Sequence, residues 1–350
     1  MAVASDFLIG ANDEHGLNPP TVGKRSPILP YIDRSFYENE FNRRAKIQFI
    51  IACLRCGFNV FDVKPEIQDI SITTRIRRAN SVNLSLLVTF AYNAFGTGSN
   101  FNQSNGFEVY YSLLSRFPTQ SRELSEEVYT ELLNFAQNNG RGVDTINVSV
   151  LTTVNCPSTL VEAGFMTNFE EAKLMQDPDY IIQIADGTCA GICNYLNVPY
   201  IARTDYSAYP TLRRGNQGNK VRLLQYYLIY NGYNLSPDGI FGTRTYNAVI
   251  NFQQNSGLTV DGIVGNNTWR ALISPQGKLT KQGARGANVV YLQQKLLSKL
   301  YPIEIDGVFG NNTLNQVTQF QQENGLVADG VVGPVTWQTL SQVGGGRPIP

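Results

Sequence analysis

Apolar and polar positions change rhythm near Tyr200. Before that point, short apolar runs alternate with stretches of helical period. The runs at Phe7, Phe58 to Val63, Leu84 to Phe90, Phe107 to Tyr111, Thr145 to Thr153 and Ser158 to Val161 predict strands. A stretch opened by Ser35 and carrying Phe41, Ala45, Phe49 and Cys53 predicts an amphipathic helix that stops near Gly57. Further helices are expected through Arg75, Arg78 and Ala79, over Glu123 to Asn138, and from Asn168 to Met175. Strands and helices in this alternation predict an α/β domain whose loops gather at the carboxyl ends of the strands.

After Tyr200 the pattern repeats. Gln225 and Gln293, Asp238 and Asp306, Phe241 and Phe309, Phe252 and Phe320, Asp261 and Asp329, and Trp269 and Trp337 are each 68 positions apart. A fixed offset means one small module used twice. Val221, Leu224 and Leu228 form one helical stripe and Val249 with Phe252 a second, each echoed in the later copy. Asp238-Gly239 and Asp261-Gly262 mark turns, and Trp269 with Leu272 places a short third helix. Three short helices around a small core, with the aromatics as core, is the simplest solution. The expected organisation is an α/β domain over 1–205 and all-α modules over 206–275 and 276–345.

Composition narrows the partners. Of 350 residues 42% are apolar and 16% charged, and Lys+Arg and Asp+Glu both number 28. A net charge of zero gives no electrostatic case for nucleic acid or an anionic membrane and favours a neutral polymer. Met1 to Gly10 lacks a basic segment and carries too short an apolar run for a secretory signal. The expectation is a chain made as a soluble cytosolic species that acts outside the membrane after lysis or by an unconventional route. The glycine-rich tail from Gly344 is expected to be a flexible end.

Five cysteines, Cys53, Cys56, Cys156, Cys189 and Cys193, argue against a disulfide framework. Cys53-Leu54-Arg55-Cys56 is half a zinc pattern, but no second pair with suitable sequence spacing follows, and Cys53 is in helical step with Phe49. Core packing is the expected role of Cys53.

Three residues carry the candidate chemistry. Glu162 is a lone carboxylate where an apolar run ends, followed by Gly164; it reads either as a solvated strand end or as an acid delivered to a sheet rim. His15, the only histidine, follows a strand in a Gly/Pro-rich loop, a place that favours function over packing. Glu38 lies three residues after Ser35, which is a capping-box spacing.

In combination these stretches resemble a known family. Residues 1 to about 200 are similar to the zinc-dependent N-acetylmuramoyl-L-alanine amidases of bacterial cell walls. His15-Gly16 resembles the family's first zinc motif, Glu38 with Asn42 its helix-borne glutamate ligand, and Val161-Glu162-Ala163-Gly164-Phe165 the stretch holding the catalytic glutamate. Arg75 with Ala79-Asn80, and Gly106 to Tyr111, resemble the segments on either side of the central strand. The repeats resemble helical peptidoglycan-binding modules through Leu224-Gln225, Asp238-Gly239-Ile240-Phe241-Gly242, Phe252-Gln253 and Asp261-Gly262-Ile263-Val264-Gly265.

The resemblance implies a mixed twisted sheet flanked by helices, a zinc ion, and cleavage of the amide between muramic acid and L-alanine with Glu162 as acid/base. It also exposes a departure. The family's central strand ends in a histidine ligand, whereas this chain reads Thr89-Phe90-Ala91-Tyr92-Asn93-Ala94, with Ala91 at the ligand position. The implied set shrinks to His15 and Glu38, so zinc is expected to bind weakly or not at all. Tyr92, Asn12, Asp13, Glu14 or Glu162 could supply a replacement donor. Two functions follow: a peptidoglycan-binding protein of wall or spore with weak or absent hydrolysis, or an active amidase of autolysin or endolysin type with a non-standard zinc site.

Overall fold

A computed structural model describes residues 2–17, 24–274, 279–342 and 347. The Pro19-Pro20 pair and all of the glycine-rich tail but Arg347 lie outside the described residues. The chain divides into two compact units. One comprises Met1–Leu29, Arg34–Met175 and Asp179–Ala202, the other Pro30–Asp33, Gln176–Pro178 and Arg203–Pro350.

In the first unit, strands β1 (Leu8–Asp13), β2 (Asn59–Asp62), β3 (Leu86–Asn93), β4 (Phe107–Tyr111), β5 (Gly140–Thr145) and β6 (Ser158–Phe165) build one sheet in the order β2-β1-β3-β6-β4-β5. The run from β2 through β1 and β3 to β6 is parallel; β4 is antiparallel to β6, and β5 parallel to β4. The sheet is therefore mixed, as the family resemblance implied. β3 is buried along seven of its eight residues because it lies between neighbours with helices over both faces.

Helices α1 (Glu38–Cys56), α2 (Ile72–Asn80), α3 (Pro118–Phe135), α4 (Ser149–Thr152), α5 (Phe169–Leu174) and α6 (Pro178–Tyr195) cover it. α1 packs through Phe49 on Phe90 and through Phe41 on Tyr92. It ends at Gly57, whose φ of +96° lets its N–H reach the carbonyls of Cys53 and Leu54. On the opposite face Ala79 of α2 and Val150 and Leu151 of α4 close a core over Leu87, Ala91 and Leu160.

Four sequence expectations shift. α1 opens at Glu38, not Ser35: Arg25 and Tyr37 pair as a β-bridge and hold the preceding residues extended, so Tyr37 becomes the cap residue. The expected strand over Thr145 to Thr153 is instead the end of β5 followed by α4. Pairing with β4 stops where Ile146 N–H meets the Tyr111 carbonyl, and the β-branched run beyond it turns to bury Val150 and Leu151. The helix expected from Glu123 begins at Pro118, where the missing N–H costs nothing in the first turn. α6 was not anticipated; its apolar positions run nearly all round, as in a helix buried on several sides.

The second unit holds α7 (Asn219–Tyr230), α8 (Thr243–Asn255), α9 (Asn266–Ile273), α10 (Ala287–Ser298), α11 (Asn311–Glu323) and α12 (Pro334–Ser341), three short helices per repeat. Trp269 is fully buried and donates from Nε1 to the Pro210 carbonyl, the core role expected of it. One polar lock occurs four times. Gln225 donates through Nε2 to Asp238, the Ile240 carbonyl and Thr245, and its Oε1 accepts the N–H of Gly239. Gln253, Gln293 and Gln321 repeat these bonds with Asp261, Asp306 and Asp329. Each lock needs a glycine after the aspartate: Gly239, Gly262, Gly307 and Gly330 have φ between +69° and +75°. The 68-residue repeat thus contains a finer one, two locks per module.

Candidate metal centre and groove

β1 is continued by β2 on one side and β3 on the other, so a crevice opens at the carboxyl ends of β1 and β3. Asn12, Asp13, Glu14 and His15 run out of β1 into it. Arg75 of α2, 4% exposed, fixes this turn. Its guanidinium donates to Asn12 Oδ1 at 3.0 Å, to the Asp13 carbonyl and to the His15 carbonyl at 3.3 Å, and pairs with Asp69 at 2.5 Å. Gly16 is required, since a Cβ there would lie 2.1 Å from the Asp69 backbone nitrogen. In the sequence Arg75 carries only a resemblance to a framework segment, and nothing in its spacing announces this role.

His15 adopts φ of +63°. In extended backbone the side chains of Glu14 and His15 would point to opposite faces; the left-handed residue turns both into the crevice. His15 Nε2 lies 3.4 Å from Glu38 Oε2 and 3.9 Å from Glu14 Oε2. Glu38 is buried, and its carboxylate accepts from Asn42 Nδ2 at 3.2 Å, Lys24 N at 3.2 Å and Tyr92 N at 3.3 Å. It therefore faces the crevice from the first turn of α1, and the capping-box reading with Ser35 does not hold. Among the described residues, donor atoms of Glu14, His15 and Glu38 all fall within 4.8 Å of one another.

Three of the other replacement donors are occupied elsewhere. Asp13 bridges Lys46 at 2.7 Å and Lys64 at 3.1 Å in the interior. Asn12 is held by Arg75 and bonds Thr89. The Tyr92 hydroxyl points inward and donates to the Glu171 carbonyl. Glu14 and Glu162 remain, and of the two Glu14 joins the donor cluster with His15 and Glu38.

Ala91 is the register partner of Glu162 across the β3–β6 pair, and the register shifts between Ala91 and Asn93, a local irregularity beside the site. Glu162 stands inside β6, three residues before its end, a correction to the strand-end reading. The strand continues because Glu171 caps it: its carboxylate accepts the N–H of Phe165 at 2.8 Å and of Gly106 at 2.7 Å. Glu162 is half-buried, with Oε2 enclosed and without a hydrogen-bond partner among the described residues.

The electrostatics are those of crowded acids. Burial, reinforced by the charges of Glu38 and Glu14, pushes the Glu162 carboxyl well above the usual range. Burial also raises Glu14 and Glu38, the latter against its hydrogen bonds, and holds the His15 imidazole below its ordinary value. A groove of about 700 Å³ opens alongside, lined by Lys24, Arg25, Tyr37, Ala94 and Gly96 among others.

A mixed α/β sheet with an imidazole and carboxylates at its switch point, joined to helical repeats, makes a modular protein whose α/β domain carries a candidate metal site. Residues 20–194, half of the chain, match the family described as N-acetylmuramoyl-L-alanine amidase, and the chain belongs to that family. Glu38, Ala91 and Glu162 lie within the match; Glu14 and His15 precede it. Residues 217–272 and 285–340 match the family described as a peptidoglycan binding domain, so the chain carries two such modules.

Relatives include a Bacillus licheniformis protein named "Probable N-acetylmuramoyl-L-alanine amidase", 32% identical over 161 residues, covering 39% of this chain and 46% of the relative. The endolysin of Bacillus phage SPP1 is 29% identical over 128 residues, covering 35% of this chain and 45% of the endolysin. The chain spans about half the length of the relatives it matches. Among solved structures, N-acetylmuramoyl-L-alanine amidase AmiC2 of Nostoc punctiforme aligns over 55% of this chain and 99% of its own, with 22% identity and a TM-score of 0.48. Among the described residues, no helix is long and apolar enough to cross a membrane.

Proposed function

We propose that this is a peptidoglycan-binding cell-wall protein, of vegetative wall or spore, built on an amidase frame whose hydrolysis of the muramoyl–L-alanine amide is weak or absent. The observation that carries this reading is Ala91, which stands opposite Glu162 at the edge where the family resemblance calls for a third histidine ligand.

The residues present fit a metal ion of altered character. A tetrahedral site with bonds of about 2.1 Å has donor–donor edges of about 3.4 Å, and His15 lies 3.4 Å from Glu38 and 3.9 Å from Glu14. Glu14, His15 and Glu38 would hold the ion. A bound zinc supplies an acidified water and a polarised carbonyl. Replacing an imidazole with a second carboxylate puts two negative donors around a divalent ion, which leaves it less able to acidify that water. The Glu162 carboxyl is pushed up by burial and by its acidic neighbours, which works against a general base that must be free of its proton. Lys24 and Arg25, which line the groove, offer cations to the carboxylates of a wall peptide.

A second reading is favoured by Glu14: three donors rather than two make an active amidase with a non-standard site. Zinc titration and turnover of the parent and Ala91→His separate them. The proposed reading expects restored zinc affinity and new turnover in Ala91→His. Substantial turnover by the parent, with none added by the histidine, supports the second.

A further inference from the structure

Four cysteines that are scattered in sequence converge at the far end of α1 from Glu38. Cys53 and Cys56 lie one turn apart on the last turns of α1, and Cys189 and Cys193 one turn apart on α6. The fold thus supplies the second pair that sequence spacing did not offer. From Glu38 to Cys56 the helix spans about 27 Å at 1.5 Å per residue, so this cluster is separate from the crevice.

The sulfurs of Cys56, Cys189 and Cys193 lie within 4.8 Å of one another, and Cys189 Sγ is 3.9 Å from Cys56 Sγ. A tetrahedral four-sulfur site with bonds of about 2.3 Å has edges of about 3.8 Å. The observed separation matches that edge and is far from the roughly 2.05 Å of a disulfide; all five cysteines are free thiols. Cys53, fully buried, sets its thiol against that of Cys189. The backbone N–H of Ile201 donates to Cys56 Sγ at 3.4 Å, the outer hydrogen bond that a metal-bound sulfur accepts. Arg55, buried between the two cysteines of α1 and paired with Asp186, brings a guanidinium beside the cluster.

Packing accounts for a buried cysteine, which behaves as a small apolar residue. It gives no reason for three sulfurs from two helices to lie within 4.8 Å of one another, with the Cys53 thiol set against Cys189 and an N–H directed at Cys56. We propose that Cys56, Cys189 and Cys193, with Cys53 as the fourth donor, bind one zinc-class ion as thiolates and staple α1 to α6. Each thiol that coordinates releases its proton to solvent, and no oxidant is required. Sulfur donors favour zinc over harder cations.

The test uses the full chain carrying Glu38→Gln, which disables the crevice as a metal site. Purified from zinc-containing medium without chelator, this protein is expected to retain about one zinc per chain, the count for a single site. Replacing the zinc by cobalt(II) is expected to give intense thiolate-to-cobalt charge-transfer absorption, lost in Cys189→Ser/Cys193→Ser. A folded Glu38→Gln protein with no zinc and no thiolate band on cobalt addition overturns the proposal, whatever the cysteine variants do. So does a band that survives the double substitution.

Discussion

The two units satisfy their buried polar groups in opposite ways. In the modules each glutamine lock closes on partners 8 to 20 residues away in sequence. In the amidase unit, Lys46 and Lys64 are balanced by Asp13 and Asp62 across the interior, and the crevice draws Glu14, His15, Glu38 and Glu162 from three separate stretches. Local closure gives a module that can be used twice. Long-range convergence gives a site whose acids repel one another, a cost that only a bound cation or proton relieves.

The contrast can be broken at several levels. The largest effect is expected from Asp13→Ala, which takes the carboxylate from the buried Lys64 ammonium and leaves Lys46 with Asp62; removing one partner of such a network costs about 3–5 kcal/mol. Chemical denaturation should show the first unit weakened and hydrogen exchange in α7–α12 unchanged. Gln253→Ala should cost about 2–3 kcal/mol, because the Gly262 N–H is left buried and unpaired. Faster exchange confined to α8 and α9 and their module would support local closure; equal loss in the other module would break it.

Ala91→His should raise zinc affinity at least about tenfold, since even an outer hydrogen-bond partner of a metal ligand is worth that much. Competition with a chromophoric chelator measures it.

The smallest effect is on pH dependence, where the units should respond with opposite sign. Glu14, Glu38 and Glu162 are raised, so the folded metal-free protein holds more protons there than the unfolded chain. Stability from these groups is present at low pH and is lost as pH rises through their raised values. Asp238, Asp261, Asp306 and Asp329 are lowered, first through the Gln225, Gln293 and backbone hydrogen bonds they accept. Their contribution is present above about pH 4 and lost as pH falls further. With the intrinsic pH dependence of exchange divided out, acidifying from about pH 7 to about pH 5 should raise protection around the crevice, three raised carboxyls outweighing the lowered His15 imidazole, and leave protection in the modules unchanged.

The same contrast explains what the sequence made legible. The modules could be read because their signals are local: the apolar stripes, the Asp-Gly turns and the 68-residue offset all lie within one segment. Strand β3 was legible as an apolar run, and Ala91 stood out only through the family's motif. Glu14 was one of five possible donors, and only the left-handed backbone at His15, which no residue pattern displays, selects it. Arg75 and Glu171 act through backbone groups far away in sequence, and Cys189 meets Cys56 across 133 positions, so spacing was silent about all three.

The central claim is best tested by incubating the zinc-supplemented full chain with intact peptidoglycan sacculi, then measuring both pelleted protein and newly exposed L-alanine amino groups. The account predicts pelleting with few or no new amino groups. Abundant new amino groups that disappear with Glu162→Gln would contradict it, and would mean that Glu14, His15 and Glu38 suffice as metal ligands with Glu162 as the working acid/base.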